Sequence, residues 1–140
     1  MSQRIVAAAR GWIGTPYVHQ ASVKGAGTDC LGLVRGIWRE LYGPEPEALP
    51  AYTPDWGEAG AQELLLGGAG RLLLPAGPEA AGDVLIFRMR SGAIAKHMGI
   101  LAETGAGASF VHAYDRHGVV ESPLSTPWRA KITGRFRFRL

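Results

Sequence analysis

Apolar side chains recur at helical spacing from the start of the chain: Ile5, Val6, Ala9, Trp12 and Ile13 fall on one stripe. Ser2 precedes them as an N-cap and Gly14 follows as a stop, which predicts a first helix. The stretch from Thr15 to Gly27 is rich in turn formers and lacks a sustained period. It runs into Thr28-Asp29, either of which can cap a helix. The second helix places Leu31, Val34, Ile37, Trp38 and Leu41 on one stripe and ends at Gly43-Pro44. Residues 44–56 are Pro-rich and acidic and read as a surface connection; Glu58 to Leu66 reads as a short third helix ended by Gly67-Gly68. Beyond Gly82 the period changes. Asp83 to Arg90, His97 to Glu103, Ser109 to Tyr114, Gly118 to Ser122 and Gly134 to Arg139 are short strand-like runs between Gly, Pro or polar turns. Helices first and strands later imply an α+β fold with N-terminal helices on a mostly antiparallel sheet.

At 140 residues, 46% apolar and 19% charged, the chain suits a single domain over 1–140 that can bury a real core. The longest apolar runs, Ile5 to Ala9 and Val84 to Phe87, fall far short of the roughly 20 residues that cross a bilayer. No membrane insertion is expected. Nor does the start show the continuous apolar stretch of a secretory signal, so synthesis in the cytoplasm without a signal peptide is expected. The net charge of +3 is unevenly placed, −3 over residues 1–87 and +6 over 88–140. A basic half can face nucleic acid or an anionic polymer. However, Arg135, Arg137 and Arg139 alternate with Phe136 and Phe138, the pattern of a strand with one solvated face.

A lone cysteine is ordinarily a small buried hydrophobe. Cys30 instead stands in the first turn of a helix entered from a Gly-rich loop, where backbone N–H groups and the helix dipole favour a thiolate. A thiolate nucleophile needs a base, and His19, His97, His112 and His117 are the candidates. Alternation puts Met98, Ile100 and Ala102 on one face and His97, Gly99 and Leu101 on the other, where a side chain can leave the core face. If residues 109–114 pair back across the loop 103–108, then 102 meets 109, 99 meets 112 and 97 meets 114. His97 and His112 become diagonal neighbours on one face, and His112 can fix the tautomer of His97. A bulge would break that register.

These residues resemble a family. Gly14-Thr-Pro-Tyr17, Thr28-Asp-Cys-Leu-Gly32, Gly82-Asp-Val-Leu-Ile-Phe87, His97-Met-Gly-Ile100 and Val111-His-Ala113 look like the ordered motifs of the NlpC-type (NlpC and p-sixty) cell-wall cysteine peptidases, over about residues 3 to 122. The resemblance implies a papain-like fold with Cys30 as nucleophile, His97 as general base and acid, and His112 as the polar residue that orients it. It also implies Tyr17 in the substrate cleft; the same tyrosine is a candidate for the second oxyanion donor beside the Cys30 N–H. Asp29 stands where relatives hold a free peptide amine, although the same residue serves equally as an N-cap. Leu31 departs from the serine that follows the cysteine in many relatives.

The implied reaction is cleavage of an amide bond in the peptidoglycan stem peptide, between D-γ-glutamyl and a diamino acid, with no cofactor and no metal. The short chain, without a signal or wall-binding domain, looks most like the phage-tail and gene-transfer-agent subgroup. That implies phage tail or baseplate proteins as partners, assembly into a virion or tail-like particle, and action at the recipient's periplasm or cell wall. Two other readings stay open: a structural tail component of the same fold whose chemistry is dispensable, and a zinc hydrolase built on Cys30, His97 and His112 or His117. The zinc reading lacks His-Glu-x-x-His and paired cysteines. A nucleic-acid module has only the basic half in its favour, and no nucleic-acid partner is expected.

Overall fold

The computed structural model describes residues 2–46, 64–89 and 95–139. Helix α1 (Ser2–Arg10) buries Ile5, Val6 and Ala9. A two-stranded ribbon, β1 (Ser22–Val23) and β2 (Gly27–Thr28), leads into α2 (Cys30–Tyr42), which is capped by Asp29 and closed at Gly43. After α3 (Leu64–Leu72) come β3 (Leu74–Pro75), β4 (Val84–Phe87), β5 (His97–Glu103), β6 (Ser109–Tyr114), β7 (Gly118–Pro123), the short helix α4 (Thr126–Ala130) and β8 (Ile132–Arg137). Among the described residues the main sheet runs β3-β8-β4-β5-β6-β7, and every pairing in it is antiparallel.

The central strands β4, β5 and β6 are buried on both faces. Toward α1 and α2, Val84, Ile86, Met98, Ile100, Val111 and Ala113 pack with Trp12, Leu33 and Ile37. On the reverse side, Leu85, Phe87, Leu101, Phe110 and Leu124 form a second cluster closed by Trp128 of α4. Double burial explains why β4 reads Val-Leu-Ile-Phe without alternation. It also corrects the expectation that the His97 face of β5 is open: that face is the second cluster, and α4 covers it.

Two further expectations change. Helix α3 continues through Gly67-Gly68, because Leu65, Ala69 and Leu73 recur every four residues and bury one stripe. That packing outweighs the roughly 1 kcal/mol each interior glycine costs. The part of the expected helix 58–66 before Leu64, and the connection beyond residue 46, lie outside the described residues. The arginine stripe of β8 is not a free basic face. Arg135 and Arg137 both bind the fully buried carboxylate of Asp83, at 3.2 Å and 2.8 Å, and Arg139 donates to the Leu72 carbonyl. A buried carboxylate needs such partners, and these side chains are drawn inward to supply them.

Candidate active site

The site begins at a helix cap. Asp29 is 1% exposed; its Oδ1 accepts from the Gly32 amide at 2.8 Å and its Oδ2 from the Gln20 amide at 2.7 Å, with His19 Nδ1 at 3.8 Å. One carboxylate therefore caps α2 and anchors the loop ahead of it. Gly32 has to be small: a Cβ there would lie 2.0 Å from the Ala21 carbonyl oxygen. Tyr17, half-buried and bridged to Thr28, stands on the same loop. Burial, with Cys30 and Asp29 as the next causes, pushes its phenol up, so the hydroxyl stays protonated and able to donate.

Cys30 opens α2 as expected, but its thiol is 2% exposed and lies in the core between helix and sheet. Its Sγ is 3.9 Å from the carbonyl oxygen of Lys96, the residue before His97. Burial, then the Asp29 carboxylate, pushes the thiol up to about 12, while the backbone N–H groups of Met98, Leu31 and Cys30 act in the opposite direction. The helix-start argument was right about the donors and left out desolvation, so the resting group is a neutral thiol.

The histidines meet as the alternation predicts. Ile100 pairs with Val111 and Leu101 with Phe110, the register that sets position 99 against 112. A bulge does occur, but between Leu101 and Glu103, so the end bearing the histidines is undisturbed. His97 Nε2 lies 2.8 Å from His112 Nδ1. Gly99 leaves the space this needs: a Cβ would sit 2.9 Å from the Val111 oxygen and 3.0 Å from the Cβ of His112.

His97 is 7% exposed and His112 0%. Burial, followed by the other ring, pushes His97 down to about 3; burial, followed by His117, pushes His112 down to about 4. Both rings are neutral at pH 7. Phe87, Tyr114 and Trp128 surround His97, and Phe110, Tyr114 and Trp128 surround His112. His117 is exposed, stacked on Tyr114, and bonds the Asp115 carbonyl, outside the pair. Among the described residues no hydrogen bond joins Sγ to an imidazole; the structure brings Cys30 beside the backbone entering β5 and couples the two histidines directly.

Two neighbours escaped the sequence reading. Ser122 Oγ lies 2.9 Å from His112 Nε2, and Trp128 stands over both rings. Ser122 had a usable signal: pairing of 112 with 120 across the hairpin puts 122 on the same face. Trp128, on a five-residue helix, had none. With Nε2 of His97 and Nδ1 of His112 bonded to each other, a zinc site on Cys30, His97 and His112 or His117 finds no convergent donor set; among the described residues no three His, Cys, Asp or Glu side chains group as metal ligands.

A thiol at a capped helix start, packed on an antiparallel sheet that carries paired histidines, defines the papain-like class with N-terminal helices. The NlpC/P60 family profile matches residues 14–137, and the chain belongs to that family. Among solved structures it is similar to an NLP/P60-family protein from Staphylococcus aureus described as similar to lipoprotein (TM-score 0.64, 22% identity, 99% of this chain and 42% of that one). It is also similar to an NlpC/P60-family protein from Bacillus cereus (TM-score 0.67, 19% identity, 99% and 40%). A third is the NlpC/p60 domain of the peptidoglycan hydrolase SagA (TM-score 0.60, 24% identity, 99% of both chains). The chain thus spans less than half the length of the first two. Among curated proteins, none matches it in sequence. Among the described residues no helix is long and apolar enough to cross a membrane.

Proposed function

We propose that the chain is a cysteine peptidase that hydrolyses an amide bond of the peptidoglycan stem peptide, between D-γ-glutamyl and a diamino acid. The observation that carries this reading is the His97–His112 pair at 2.8 Å, one residue along the backbone from the carbonyl that the Cys30 thiol touches. Family membership supports the reaction class, and the relative described as a peptidoglycan hydrolase supports the substrate.

Since thiol and imidazole are both neutral at rest, the first step is general-base catalysis. His97 takes the thiol proton as sulfur attacks the amide carbon, a C–S bond forms, and the oxyanion is met by the Cys30 backbone N–H. Collapse breaks the C–N bond, and His97 returns the proton to the departing amine. Water then gives a proton to His97 and its oxygen to the acyl carbon; the C–S bond breaks and the thiol is restored. His112 holds His97 in place, Tyr17 is a donor at the cleft, and Asp29 holds the loop that carries Tyr17.

Digestion of purified muropeptides followed by mass spectrometry tests this. Products split at the γ-glutamyl bond are expected from the wild-type chain and none from Cys30→Ala. Equal cleavage by both would overturn the assignment. Carriage on a phage tail or phage-derived particle, bound to tail or baseplate proteins, is part of the proposal and is supported by the motif resemblance. It predicts the protein in purified particles, and its absence from them would remove that part alone.

A further inference from the structure

The histidine pair does not end at His112. Its second ring nitrogen, Nε2, lies 2.9 Å from the Ser122 hydroxyl, and His112 has no exposed surface. Ser122 comes from β7, where it pairs with Phe110 and stands diagonal to His112 on one face of the sheet. The adjacent Glu121 serves the other face, where it accepts from Ser109 and Arg10. Ser122 is therefore dedicated to the histidines.

Protons can be arranged along this chain in two directions. In one, His97 Nε2–H donates to His112 Nδ1 and His112 Nε2–H donates to Ser122 Oγ; His97 Nδ1 is then a lone pair, ready for the thiol proton. In the other, the serine O–H donates to His112 Nε2, His112 Nδ1–H donates to His97 Nε2, and His97 already carries its proton on Nδ1. Only the first direction is a base. It requires an acceptor for the buried Nε2–H of His112, and Ser122 is that acceptor.

We propose, resting on the peptidase reading above, that Ser122 is a positioning residue that holds both histidines in the Nε2-protonated form and so arms His97 Nδ1 toward Cys30. Without the hydroxyl, the first direction leaves a buried N–H unpaired, whereas the second leaves only a lone pair, the lesser penalty. Loss of the hydroxyl therefore turns the chain around and disarms the base.

The test compares Ser122→Thr with Ser122→Val, which share a shape and differ in the hydroxyl, and adds Ser122→Ala. In the full chain labelled with 15N-histidine, NMR at neutral pH is expected to show Nε2-protonated rings at 97 and 112 in wild type and Ser122→Thr. Nδ1-protonated rings are expected in Ser122→Val and Ser122→Ala. On muropeptides, kcat should fall about tenfold or more in the last two with KM unchanged, and stay near wild type in the threonine variant. Tautomers that are the same in all four proteins overturn the inference, whatever the activities. Failure of the peptidase reading shows separately, as wild-type inactivity on muropeptides, and the tautomer comparison still decides the role of Ser122.

Discussion

On the Cys30 sulfur, backbone N–H groups favour the thiolate while burial and the Asp29 carboxylate oppose it, and the opposition wins. Alkylation of the native protein by iodoacetamide should therefore lack an acidic plateau and climb steadily with pH above about 8, the ordinary thiol range. A rate that is fast and flat below pH 7 would show a resting thiolate. At the histidines the proposed mechanism makes the roles unequal, since in it His97 moves protons and His112 holds it. His97→Ala should lose nearly all cleavage of muropeptides; His112→Asn or His112→Gln should keep a measurable fraction, and His117→Ala nearly all. Equal losses at 97 and 117 would reassign the base. The place of Cys30 at the start of α2 and the meeting of His97 with His112 were legible from capping and alternation. Protonation state was not, because it depends on how much core closes over each group.

Among the elements, the β5–β6 hairpin was the most readable, because strict alternation leaves few registers and a one-residue slip would turn every side chain over. The bulge at Ala102 could not be read, but its place near the turn spared the histidines. Helix α3 misled because glycine propensity is local, whereas the stripe of Leu65, Ala69 and Leu73 answers to tertiary packing. Gly99 is where element and site meet. Gly99→Ala should push β6 and the His112 ring aside, lower stability by about 1–3 kcal/mol in urea unfolding, and reduce kcat more than KM. A variant with full stability and full activity would show that the two strands can separate freely there.

Over the whole molecule, charge is organised by the interior. Asp83 binds two β8 arginines from more than fifty residues away, which no local pattern announces, and so the stripe of 135, 137 and 139 read as a solvated strand face. Asp83→Asn should loosen β8 from β4 and lower Tm by roughly 5 °C or more, a shift readable by calorimetry. Acid should act through the histidines as well. Both have folded pKa values below the ordinary 6.5, about 3 and about 4, so the unfolded chain binds more protons between those values and 6.5. Their contribution to stability is complete above pH 6.5 and is lost progressively as pH falls toward 3. Replacing both with glutamine should flatten urea midpoints across that window; unchanged slopes would locate acid sensitivity elsewhere.

The placement of the thiol on α2 and of the histidines on β5 and β6 also sets an order in time. On the ribosome, Cys30 emerges 67 residues ahead of His97, and the first helices have no sheet to pack against until the C-terminal strands follow. An interrupted chain carries a nucleophile without a base. Because the contacts that join the two halves are long in sequence, folding is governed by loop closure rather than by helix formation. On the proposed mechanism, hydrolytic competence is therefore acquired late and all at once, and a prematurely terminated product has none.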